Sequence, residues 1–421
     1  MAAWEHLQDL CRIGPRGSTT DGERRAAAWL AERLSALGYT VETQPFTSPR
    51  HTLYLGPAAV IAGMLAARTL AAWSPPLGLL VMVALLVPLV GEMVGARVNF
   101  DLLLPKGPSQ NVIARLPQQP GIGAAGSGTE GTGRAPRAAA SREASPSRPE
   151  ASHPGPCPGR PATVVIAAHY DTQRGTWLFA PGFRPWLRPF FVTVYIALAL
   201  VPLGTALGWA LPGAAWIWAV INAASAWLAA TGAFLVGAWA TGRYVQGAND
   251  NGSGVAVALA LAERWRREPI PGLEPVFLFT GCEEVGTRGM RHFLAKSDLP
   301  PGTVFLNLDN VGGGRLRYLL GEGMLVYRRY DPELVALARA SAPQVSDAIQ
   351  PLANLLLPTD ALPVAVAGFP VITLLAALDN GAIPNYHWHT DVLDNVDQAT
   401  LALAETFAWR LLMELGRKAA A

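Results

Sequence analysis

Between Arg188 and Arg243 the chain runs for 54 positions without a single Asp, Glu, Lys or Arg. A charge-free stretch of that length cannot lie in water as a loop, and it is too long for one buried helix. A helix rises ~1.5 Å per residue, so about 20 apolar residues cross ~30 Å of hydrocarbon. Leu211-Pro212-Gly213 sits near the middle and divides the run into two such helices. The expectation is a transmembrane hairpin over 189–242. A second hairpin is expected over 53–96. Leu53–Trp73 is apolar apart from Arg68, Ser74-Pro75-Pro76 makes a turn, and Leu77–Ala96 is apolar apart from Glu92. Arg68 and Glu92 lie near span ends, where long side chains reach the interface. The competing reading of this second pair is two buried core helices. Four predicted transmembrane helices make the lipid bilayer a partner. Each hairpin returns to the side it left. Arg50 and Arg97 flank the base of one, Arg184, Arg188 and Arg243 the base of the other, and only Arg68 lies toward a tip. An excess of basic residues on one side predicts an integral membrane protein whose remaining domain is cytoplasmic.

Outside the hairpins the chain reads as one domain in pieces. The net charge of +2 comes from 33 basic and 31 acidic residues, with no basic cluster of the kind a nucleic-acid partner requires. Cys11, Cys157 and Cys282 form no CxxC pair, which argues against a disulfide framework and a thiolate zinc site. The opening MAAWEHLQDLCR has no apolar core and does not read as a secretory signal. Residues 20–37 predict an amphipathic helix with a Thr20/Glu23 capping box and a Gly38 stop. Val41–Phe46 and Asn111–Leu116 predict strands. Residues 117–162, rich in Gly, Ala, Ser, Pro and Arg, predict a disordered linker. The Gly121–Gly126 GxGxxG inside it lacks the preceding strand and following helix of a dinucleotide site. Strands over Thr163–Ala168, Val276–Thr280, Val304–Leu308 and Val371–Leu375 alternate with helices over Gly254–Arg266, Pro332–Ser341 and Val396–Leu415. The fold class is therefore α/β, a mainly parallel or mixed sheet flanked by helices. Segments 1–50, 97–116, 163–188 and 243–421 build it, with the hairpins and linker as insertions.

Five motifs carry chemistry. His169-Tyr-Asp171 ends a strand; a neutral imidazole is a metal ligand, and a carboxylate two residues on can hold its other nitrogen. Gly247-Ala-Asn249-Asp250-Asn251-Gly252-Ser253-Gly254 opens a helix, and Asp250 can bridge two metals. Its Asn251-Gly-Ser253 sequon is a poor glycosylation acceptor in a glycine-rich turn. Cys282-Glu283-Glu284 follows an apolar strand, where paired carboxylates need a compensating cation. One Glu can bind metal while the other serves as general base. Asp309 ends the strand Phe305–Leu308, and Tyr386-His387-Trp388-His389-Thr390-Asp391 offers either histidine. The set suits two metal ions about 3.5–4 Å apart. His6, His51, His153 and His292 are expected to be solvated.

This order of motifs, with Thr359-Asp360 before Gly368-Phe369-Pro370 and the opening helix and strand, resembles the M28 family of zinc peptidases over the chain outside the hairpins and linker. The resemblance implies a zinc-exopeptidase-like fold and two Zn2+ per chain. It assigns His169 and Asp309 to one ion, Glu284 and His387 to the other, and Asp250 to both. His387 rather than His389 has the family's spacing to Asp391 and Asp397. Glu283 would be general base and acid toward a metal-bridged water, Asp171 would orient His169, and Tyr386 would polarise the scissile carbonyl. The implied activity is hydrolysis of N-terminal residues from a peptide substrate. A glutaminyl cyclase-like acyltransferase with one zinc, and a non-catalytic membrane scaffold that kept the fold, are the competing readings.

Overall fold

A computed structural model describes residues 2–93, 104–117, 161–324, 326–354 and 357–420. Residues 118–160 of the expected 117–162 linker, its GxGxxG, Arg97 and His153 lie outside the described residues, and Ala162 at its end is already part of a strand. The chain opens with α1 (Ala2–Arg12) and α2 (Asp21–Ala36). Thr20 caps α2 by accepting from the Glu23 amide. The reciprocal half of the expected capping box is shifted by one residue, because Glu23 accepts from the Thr19 amide at 2.7 Å. Strand β1 (Thr40–Pro49) follows, then helices α3 (Thr52–Ala71) and α4 (Pro75–Met93), then β2 (Lys106–Arg115). After β3 (Ala162–His169) and the short β4 (Arg174–Gly175) come α5 (Leu187–Ala210), α6 (Ala215–Thr241) and β5 (Arg243–Tyr244). The remainder runs α7 (Gly254–Arg267), β6 (Leu273–Thr280), α8 (Arg288–Lys296), β7 (Val304–Leu308), β8 (Arg315–Glu322) and β9 (Arg328–Arg329). It closes with α9 (Pro332–Ser341), β10 (Gln350–Asn354), α10 (Ala361–Val366), β11 (Val371–Ala377) and α11 (Gln398–Ala420).

The sheet order is β1-β2-β6-β3-β7-β11-β8-β10, with β9 on β8. The sheet is mixed. β6, β3, β7 and β11 are parallel neighbours at its centre, and β1, β2 and β8 join antiparallel toward the edges. The central strands are mostly apolar because both faces are covered. Every residue of β3 from Thr163 onward is buried. Helices α1, α7, α9 and α11 form one packed group on the sheet, and α8 with α10 form another.

Both insertions leave from closed β-ribbons. Pro49 at the end of β1 faces Lys106 at the start of β2, and Gly175 faces Arg243 across the β4–β5 ribbon. Each helix pair therefore returns to within one ladder step of its departure, leaving the sheet undisturbed. The four inserted helices pack on one another around Tyr54, Met64, Val201 and Leu228. Among the described residues, α3, the stretch Arg184–Ala210 and α6 are long and apolar enough to cross a membrane, while Pro75–Gly91 is a shorter apolar helix. Arg68 near the end of α3 hydrogen-bonds Asn222 of α6.

Candidate metal centre

All five motifs arrive at the C-terminal edge of the parallel strands, where an α/β sheet opens its binding crevice. His169 is the last residue of β3, Glu283 and Glu284 follow β6, Asp309 follows β7, and His387 lies in the loop after β11. Asp250 precedes α7 in a turn that requires glycine. Gly247 has φ +64°, and a Cβ there would lie 2.2 Å from Thr172 and 2.5 Å from the Asp250 carbonyl. The Asp250–Asn251 peptide is cis. Asn251 is fully buried, with its side-chain amide donating to the Leu308 carbonyl at 2.8 Å, so the sequon is shielded from solvent.

Asp250 lies between the two histidines. Its Oδ1 is 3.3 Å from His169 Nε2, and its Oδ2 is 2.9 Å from His387 Nε2. Asp309 Oδ1 is 3.9 Å from His169 Nε2, and Glu284 Oε2 is 3.1 Å from His387 Nε2. Glu283 Oε2 lies 4.0 Å from His169 Nε2, about as far as Asp309 Oδ1. His387 is buried, whereas His389 is exposed and its ring leans on Trp388. Tyr386 stacks on His387 with ring centres 3.8 Å apart, and Phe179 packs edge-on against both rings. Asp171 contacts His169 chiefly through its backbone: Nδ1 is 3.2 Å from the Asp171 carbonyl and 3.6 Å from Oδ1. Its carboxylate accepts instead from the Glu283 and Glu284 amides at 3.0 and 3.2 Å and from Ser18 Oγ at 2.6 Å. It thereby holds the two-glutamate turn as well as the histidine.

The donors fit a cation. Asp250 Oδ2 and Glu284 Oε1 are buried without a hydrogen-bond partner, despite the short approach of His387 to Asp250. One ligand atom from each of His169, Asp250 and Glu284 falls within 4.8 Å of the others. Buried acceptors left unpaired this way are costly unless a metal takes them. The electrostatics agree. Burial raises the Glu284 carboxyl to about 7 and Asp309 to about 6, and raises Glu283 well above the carboxylate range, with neighbouring carboxylates adding to each. Burial lowers the histidines, but the carboxylates more than reverse it: Glu284 and Asp250 raise His387 to about 9, and Glu283, Asp171 and Asp250 raise His169 well above its ordinary value. Asp250 is raised by burial yet held below the usual range by hydrogen bonds to the two imidazoles. A cluster that recruits protons to neutralise itself has the charge deficit that divalent ions would fill.

Several supporting residues escape a motif search. Asp391 accepts from the Asn249 and Asp250 amides at 2.7 and 3.1 Å, fixing the bridging aspartate's backbone. The spacing of Asp391 from His387 had marked it, though not with this role. Glu23 accepts from the Cys282 amide at 3.0 Å and from Ser109 Oγ at 2.9 Å. Arg16, fully buried, donates to the carbonyls of Tyr170, Gln246 and Gly247 and ties two motif turns together. Gln173 Nε2 donates to the Glu284 carbonyl at 3.0 Å. Asp360 accepts from Thr280 Oγ1 beside the site. The histidines expected to be solvated divide differently. His6 is buried with Nε2 2.9 Å from Glu263, because α1 packs its inner face on α7; His51 is half-buried against Trp239; His292 stacks on Phe46.

Residues 231–412 match the model of peptidase family M28. No curated protein matches the chain. Among solved structures, a glutaminyl cyclase of Porphyromonas gingivalis superposes with a TM-score of 0.52 at 15% identity, covering 98% of this chain and 97% of its own. A leucine aminopeptidase precursor of Bacteroides thetaiotaomicron gives 0.52 at 14%, covering 98% and 96%. A zinc aminopeptidase of Bacillus subtilis gives 0.52 at 15%, covering 98% and 94%. At these identities the likeness is one of fold.

Proposed function

Because residues 231–412 match the model of peptidase family M28, we propose that the chain is a membrane-anchored, two-zinc aminopeptidase of that family. The carrying observation is the placement of Asp250, whose two carboxylate oxygens face His169 and His387 separately. On this reading His169 and Asp309 hold one ion, His387 and Glu284 the other, and Asp250 is shared. Zinc ions there would supply Lewis acidity and lower the pKa of water toward neutrality. Glu283 takes a proton from the attacking water and returns it to the leaving amine. Asp171 keeps Glu283 in place through its amide, and Tyr386, packed against His387, faces the same cavity and polarises the peptide carbonyl.

The membrane reading rests on the three long apolar helices and the exposed Leu, Val, Ile and Trp side chains on the inserted set. Basic residues at the hairpin bases favour a cytoplasmic catalytic domain. Zinc content and hydrolysis of an aminoacyl-anilide panel by the detergent-purified chain test the whole. Two zincs per chain with anilide turnover is the expected result. One zinc with cyclisation of N-terminal glutamine would replace it by the acyltransferase reading, which the likeness to glutaminyl cyclases favours as second choice. Neither metal nor turnover would leave a membrane scaffold.

A further inference from the structure

A cavity of about 180 Å³ opens directly over Glu283, Glu284 and His387. Its floor belongs to the α/β domain, but much of its wall does not. Leu53 and Pro57 of α3, Leu89 of α4, and Phe191 and Tyr195 of α5 line it. These residues come from both insertions, so neither hairpin is a remote anchor. Tyr195 lies eight residues past the start of α5, about 12 Å along the helix axis. The cavity thus reaches roughly two turns into the apolar helical layer. The opposite faces of the same helices expose Leu80, Val83, Val87, Leu203 and Leu207. No charged residue occurs on α5 or α6 between Arg188 and Arg243, so the α5 wall can accept hydrocarbon and has nothing to pair with a charge.

We propose that this cavity takes an amphiphilic peptide, with its free amine and scissile bond at the carboxylate cluster and its hydrocarbon against Leu53, Leu89, Phe191 and Tyr195. The substrate is then a bilayer-borne chain rather than a freely soluble dipeptide. Phe191 and Tyr195 determine that preference. This rests on the peptidase reading above and deepens it. Burying two methylenes against such a wall is worth about 1.6 kcal/mol, roughly fifteenfold in specificity.

The test compares two substrates with the same Ala–Ala scissile bond, one ending in a dodecylamide and one in a methylamide. The zinc-loaded full chain is used in phosphatidylcholine nanodiscs. Wild type should favour the dodecylamide at least tenfold in kcat/KM. Phe191→Ala and Tyr195→Ala should collapse that ratio by a similar factor in identical nanodiscs, where partitioning of the substrate is constant. A variant that lowers both substrates equally, or a wild type without preference, overturns the inference while leaving the peptidase intact. If neither substrate is cleaved, the underlying reading fails first. A dodecyl tail carrying a diazirine provides a readout without turnover. Crosslinks at residues 53, 89, 191 or 195 are expected, and crosslinks confined to the outer faces of α4 and α5 would refute the proposal.

Discussion

In the α/β domain, Val165 and Phe277 are fully buried between layers, and Asp250, Glu284 and His387 are buried with them. On α5, Leu203 is 62% exposed, and on α4, Leu80 is 66% exposed. One region buries polar groups; the other displays apolar ones. In water each is costly, and each therefore points to something the protein chain itself does not provide. On the proposed reading the missing component of the α/β domain is cationic, since carboxylates cluster around two imidazoles. On the same reading the inserted helices would meet a hydrocarbon medium. The two demands meet at the cavity, whose floor is acidic and whose wall is Leu53, Leu89 and Phe191.

The contrast can be broken most severely at the floor. Glu283→Gln should lower kcat by ~10²–10⁴ while zinc content stays at wild-type level, because a proton carrier is lost and no ligand is; atomic absorption beside single-turnover kinetics reads both. Loss of zinc would make Glu283 a ligand instead. Next comes the choice of histidine. His387→Ala should lose zinc and activity together, whereas exposed His389→Ala should lose neither; a reversed pattern would reassign the site. At the helices, Leu203→Arg should disfavour insertion by ~2.5–3.5 kcal/mol, seen as loss from the carbonate-washed membrane fraction. Ala402→Arg, at an exposed position of α11, should stay within ~0.5 kcal/mol by denaturant titration. Equal small effects would remove the distinction between the two surfaces.

A further expected effect concerns a buried acid away from the ligands. Burial raises Glu322 to about 8, although the Thr359 amide and hydroxyl donate to it. Its folded pKa lies above its unfolded value, so its contribution is complete below about pH 4.5. The contribution is lost as pH rises through about 8. Stability should therefore fall with pH across that window, by at most ~1.4 kcal/mol per unit. Glu322→Gln should flatten the slope in urea titrations from pH 5 to 8. An unchanged slope would place the titration elsewhere.

Much of the architecture was legible because its causes are local. Charge-free runs and turn prolines marked α5 and α6, and apolar runs marked β3, β6, β7 and β11. Strands β8 and β10 were not: Arg315–Glu322 mixes charge and apolar residues, and its pairing with β11 comes from far along the chain. Helix α4 is described as far as Met93, and the last residues of the expected span lie outside the described residues. The motif residues could be named because turn glycines and strand-end acids sit beside them. Glu23 and Arg16 could not, since each looks like an ordinary charge on a helix or turn until distant backbone closes over it.

The amino-acid sequence by itself determined the long apolar helices, the central strands and which side chains are chemically able to bind metal, since propensity, period and residue type act over a few positions. Only the tertiary structure decided that Asp250 stands between two histidines 218 residues apart in sequence. It alone placed His387 inward and His389 outward, made Asp171 the anchor of the glutamate turn, and brought both hairpins to the wall of one cavity. Those relations arise when strand order and ribbon closure bring remote segments together, and no local pattern encodes the distance between them.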